Sequence, residues 1–84
     1  KLGDADEAQT ALLTAAKIDG GRTVGPQVAL ADFYQHIGGR ENALKRLRMA
    51  LYLEPANAEV AARIRALGEI PGPSFSLVPD EAGG

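Results

Sequence analysis

Apolar positions recur with helical spacing in three successive stretches. Leu30, Phe33, Tyr34 and Ile37 fall at i, i+3, i+4 and i+7, one stripe of a helix predicted over about 26–37. Pro26 suits its first turn, where a missing N–H costs nothing, and Gly38-Gly39 supplies the backbone freedom to end it. Ala43, Leu44, Leu47, Ala50 and Leu51 form a second stripe, closed by Pro55, through which a helix does not readily continue. The alanines at 43 and 50 let two helix backbones approach closely, while Leu47 and Tyr34 fill the space between them, so the two stripes make an αα-hairpin. In the third stretch Asn57 can cap a helix whose apolar stripe is Val60, Ile64 and Leu67, with Glu59, Arg63 and Arg65 on wet faces and Gly68 at its end.

The pattern also repeats. Gly3 aligns with Gly38, Ala8 with Ala43, Leu12 with Leu47, Ala15 with Ala50, Ile18 with Leu53 and Asp19 with Glu54, all at an offset of 35 residues. Periods of this size belong to stacked helical units that bury a continuous core. Residues 4–18 therefore read as the second helix of a unit whose first helix is missing, and the chain reads as a fragment of a longer array.

Leu30, Ala31, Tyr34, Gly38, Ala43, Leu47, Ala50 and Pro55 resemble, in type and spacing, the signature of the tetratricopeptide repeat. Gln27 stands where that family often has an aromatic residue. The resemblance implies an all-α fold: antiparallel helical hairpins stacked as a right-handed solenoid fragment, with an irregular C-terminal tail. Under it, residues 1–23 hold the second helix of a truncated repeat and a connection, 24–57 a complete repeat, 58–68 a capping helix and 69–84 the tail. Arrays of this kind commonly end in a helix that covers the last apolar face and turns a polar side outward.

Pro71, Gly72, Pro73 and Pro79 oppose regular helix in the tail and favour extended or polyproline backbone. Ser74-Phe75-Ser76-Leu77-Val78 nevertheless carries apolar side chains that a pure linker does not need, and docking of this segment is expected. Nine Lys and Arg against eleven Asp and Glu give a net charge of -2, which argues against a surface devoted to nucleic acid. No apolar run approaches the ~20 residues that span a bilayer, so membrane insertion is not expected. Without cysteine there are no disulfides and no thiolate ligands, and the compartment stays open.

Chemistry is sparse. His36 has no second imidazole or thiol to complete a zinc set, so neither metal nor cofactor is expected. Thr10, Thr14, Thr23, Ser74 and Ser76 lie far in sequence from that one potential base, so the chain is not expected to be an enzyme. Asp4, Asp6 and Glu7 are explained by N-capping and the helix dipole rather than by a cation. Gly20, Gly21 and Gly25 read as a flexible connection, with no Gly-Lys-Ser/Thr to make a phosphate cradle. Arg40, Lys45, Arg46 and Arg48, with Arg63 and Arg65, read as solvated faces of helices whose other sides are buried.

The function expected from the resemblance is a non-catalytic scaffold binding a peptide or partner protein. Family members receive partners on a face lined by first helices, here Val28, Ala29, Asp32, Gln35 and His36, with Glu59, Ala62 and Arg63 from the capping helix. Those that grip C-terminal carboxylates use lysine and asparagine there; this chain has Val28 and Asp32 at the matching places, so that specialisation is not expected. One alternative is a regulatory or targeting module of a larger enzyme. Another is a homo-oligomer formed through the uncovered Ala8, Leu12 and Ala15, or through tail residues Phe75, Leu77 and Val78.

Overall fold

Each helix begins and ends where local chemistry allows it. In the computed structural model, which describes residues 2–83, four α-helices follow one another: α1 (Leu2–Asp19), α2 (Val24–His36), α3 (Arg40–Leu53) and α4 (Ala58–Ala66). No strand occurs among the described residues. α1 ends in Gly20-Gly21, both at φ +70, a conformation that glycine adopts without steric cost. Asp19 then bridges the connection: one carboxylate oxygen accepts the backbone N–H groups of Arg22 and Thr23, and the other accepts the Thr23 hydroxyl. These bonds, the Thr23 backbone N–H foremost, hold the Asp19 carboxyl below its usual pKa.

α2 starts at Val24, two residues ahead of the sequence expectation, so Gly25 belongs to the helix and not to the connection. Pro26 still lies in the first turn. The backbone likewise places Asp4 inside α1 and not at its N-cap, and its side chain lies outside the described ones. Asp6 and Glu7 are exposed on that helix. Asn57 does what its position suggests: its Oδ1 accepts the Val60 N–H at 3.0 Å. Replacing Asn57 with Ala should lower stability by about 1 kcal/mol, measured by urea unfolding; an unchanged midpoint would mean that α4 is held by packing alone.

Packing follows the stripes. Ala31, Leu47, Ala50, Leu51, Val60 and Ile64 form one buried cluster, drawing on α2, α3 and α4 together. Ala16, Leu30, Tyr34 and Ala43 form a second, which joins α1 to the α2–α3 hairpin, with Leu12 and Leu13 packed against it. Gln9 donates to the Tyr34 hydroxyl at 3.0 Å across the α1–α2 seam.

The repeat-matched positions of α1 and α3 differ in what covers them. Ala43, Leu47 and Ala50 are fully buried, whereas Leu12 and Ala8 are half-buried, Ala15 is exposed and Ile18 is 78% exposed. α3 packs with both α2 and α4, whereas the helix packed against α1 is α2, so identical residue types meet different surroundings.

The tail departs from the extended backbone expected of it. Short 3-10 turns form at Pro73–Phe75 and Asp80–Gly83, and the segment lies against the helices. Phe75 packs onto the first core cluster.

Candidate functional site

Two surfaces bring polar and apolar groups together. The first lies between α2 and α4. Val28 and Ala29 are half-buried, and Val28 packs against the first core cluster. Asp32, Gln35, His36, Glu59 and Ala62 are exposed. Arg63 joins two of these positions: Nη1 donates to Asp32, and Nε and Nη2 donate to Glu59 at 3.2 and 2.9 Å. The bond to Glu59, followed by that to Asp32, outweighs partial burial and raises the Arg63 pKa. Gln35 and His36 lie in the last turn of α2 and make no side-chain hydrogen bond to this ion-paired patch.

The second surface is the side of α3 that carries Lys45, Arg46 and Arg48, and it was not legible as a site in the sequence. Lys45 is exposed, as a solvated face requires, but Arg46 is buried, which corrects the solvated-face reading of this residue. The reason is the tail. Arg46 Nη1 donates to both Glu81 carboxylate oxygens at 2.9 Å and to Gln27 Oε1 at 2.9 Å, while Gln27 Nε2 donates to Glu81 at 3.0 Å. Their side chains are only 8% and 12% exposed for Arg46 and Glu81, so water screens the pair weakly. Burial pushes the Glu81 carboxyl up, but hydrogen bonds from Gln27 and Arg46 prevail and hold it below its ordinary value. Gln27, the residue standing at a commonly aromatic position, is thus the neutral member of a closed polar triad.

The rest of the segment is fastened residue by residue. Arg48 Nε donates to the Phe75 carbonyl at 2.7 Å, and its guanidinium lies 4.7 Å from the Phe75 ring centroid, a cation–π arrangement. The Arg48 carbonyl accepts the Leu77 N–H at 3.1 Å, and Lys45 Nζ lies 3.0 Å from Asp80. Phe75 and Leu77 are therefore half-buried within their own chain, while Val78 stays 56% exposed. Of the residues expected to mediate self-association, Ala8, Leu12, Phe75 and Leu77 are half-buried within their own chain, and Ala15 and Val78 are exposed.

Gly21 decides how closely the end of the tail can approach. A Cβ there would lie 2.8 Å from Pro79 Cβ and 2.9 Å from the Ala82 backbone nitrogen, in addition to the strain of φ +70. Gly21→Ala should therefore cost roughly 1–2 kcal/mol from the left-handed backbone alone and displace Pro79 and Ala82. Amide hydrogen exchange at Ala82, whose N–H is bonded to the Pro79 carbonyl, would report that displacement; protection equal to wild type would show that the loop can shift instead.

No three His, Asp or Glu side chains converge on a point that could hold a metal ion among the described residues. No helix there is long and apolar enough to cross a membrane. No family model, no curated protein and no solved structure matches the chain.

Proposed function

We propose that the chain is a non-catalytic protein-interaction module of the tetratricopeptide type, whose α2–α4 surface receives an extended peptide. The observation that carries this reading is the first core cluster. α4 closes onto α2 and α3 at once, as a capping helix beside the first helix of a repeat would. The 35-residue offset, with its matched small and large positions, supports the same repeat-type reading. A mildly polar face, with Arg63 able to exchange Asp32 or Glu59 for groups of a ligand, suits a peptide that offers backbone carbonyls.

Selection of a displayed library of extended peptides on the wild-type chain tests this reading. Enriched peptides should lose at least about tenfold in affinity, or 1.4 kcal/mol, on the double variant Asp32→Ala with Arg63→Ala. Exposed ion pairs contribute only about 0–1 kcal/mol, so that variant should remain folded by circular dichroism. Equal binding to both chains, or no enrichment on wild type, would remove the groove from consideration.

Self-association is a second reading, supported by the exposure of Ala15 and Ile18 on α1. Light scattering across a concentration range should then show a dimer that Ile18→Glu abolishes; a wild-type monomer at every concentration would dismiss it.

A further inference from the structure

We propose that the α3 surface beneath residues 75–81 is a second peptide site, occupied in cis by the chain's own tail. Its partner is an extended segment of the same chemistry: an aromatic anchor followed five to six residues later by two adjacent carboxylates. This surface is separate from the α2–α4 groove, and its test is independent of that reading.

The receptor half of the site belongs to the helices. Lys45, Arg46 and Arg48 project from α3 and Gln27 from α2, and each engages the segment through a different group. Arg48 takes the aromatic end by its guanidinium and its own carbonyl, because a carbonyl oxygen has two acceptor positions and a helical one can receive a second donor. Lys45 takes Asp80, and Arg46 with Gln27 takes Glu81. A guanidinium only 8% exposed requires a counter-charge, since a buried ion without a partner is strongly disfavoured. Within the helices Arg46 has only Gln27 and the Met49 sulfur as partners, both uncharged. Glu81, which covers Arg46 as it pairs with it, is thus the charge complement that a competing segment has to reproduce at this surface.

The link between α4 and the occupant, by contrast, is weakly held. Ile70 is 85% exposed, and no hydrogen bond is made by Ile70 or Pro71 among the described residues. Release of residues 75–81 therefore meets no resistance from the link, and its cost is the loss of the contacts to Lys45, Arg46 and Arg48 and of the Phe75 packing. A tethered segment competes at an effective concentration in the millimolar range, so the site excludes weak ligands and yields to a partner that binds more strongly or in several places.

The probe is a fluorescent synthetic peptide of residues 72–84, titrated into the full chain and into a full-length variant carrying Phe75→Ala, Asp80→Asn and Glu81→Gln. The peptide should bind the variant at least about tenfold more tightly than wild type, because no cis segment competes. Added salt should weaken binding, and a peptide with Asn-Gln in place of Asp-Glu should not bind. A helical variant, by circular dichroism, that fails to bind would overturn the proposal. Should the variant lose its helices, the wild-type chain decides: about millimolar peptide should displace its tail and move the backbone amide resonance of Leu77, and resonances that stay fixed would equally overturn it. A wild-type dimer converted to monomer by the peptide would assign the site to the tail of a second copy and overturn a foreign partner.

Discussion

Leu47→Ala is expected to lower the unfolding free energy by about 2–5 kcal/mol, the range for truncating a fully buried leucine. Leu47 is fully buried, and it belongs to the cluster in which α2, α3 and α4 meet. Removing its branched end forfeits the transfer energy of the lost methyl groups and leaves a cavity that three helices would have to close together. Collapse into that space is restricted, because Ala31 and Ala50 in the same cluster are buried residues with little side chain to move into it. A domain of this length holds roughly 4–13 kcal/mol in total, so the variant retains little margin. Urea unfolding followed by circular dichroism measures the loss. The repeat offers an internal control in Leu12→Ala: the matched leucine on α1 is only half-buried, and its truncation should cost distinctly less. Equal losses at the two sites would mean that α1 is far better covered in solution than its exposed Ala15 and Ile18 imply.

Glu81→Gln should also be strongly damaging, at about 3 kcal/mol, equivalent to a fall of roughly 12–24 °C in Tm. The substitution keeps the shape and removes the charge, leaving Arg46 a buried cation with uncharged neighbours. The helices have one escape: the tail can lift away and admit water to Arg46. Protection of the Leu77 amide, bonded to the Arg48 carbonyl, should then vanish before the helices unfold. A Tm shift of only a degree or two, with that protection intact, would show that the ion pair contributes no net stability.

The same carboxylate sets an acid dependence. Its folded pKa lies below the ordinary 4.5, so its contribution is complete above that value and disappears as the pH falls through the lowered one. The stability gap between wild type and Glu81→Gln should therefore close on acidification. Asp19, whose pKa is lowered in the same direction, leaves an acid slope in the variant as well.

How much was visible beforehand differs from element to element. Leu30, Leu47, Val60 and Ile64 were found as core residues because helical periodicity is a local property, and each is buried where its stripe put it. Asn57 and Gly68 marked the bounds of α4 because capping is local too. Arg63 was placed on the α2–α4 face beside Asp32 and Glu59, but its pairing with both was not legible. Arg46 was misread for the opposite reason. On a helical wheel it falls among Lys45 and Arg48, and nothing within several residues reveals that a carboxylate 35 positions away will cover it.

The amino-acid sequence by itself determined the helical stripes, the caps and breaks between them and the 35-residue self-similarity, since each depends on residues within a turn or two of one another. Tertiary structure alone decided which charges are buried and that the face on which the Pro-rich tail docks is that of α3. Those outcomes depend on contacts between distant segments, and a buried Arg46 is tolerable only when Glu81 and Gln27 arrive with it.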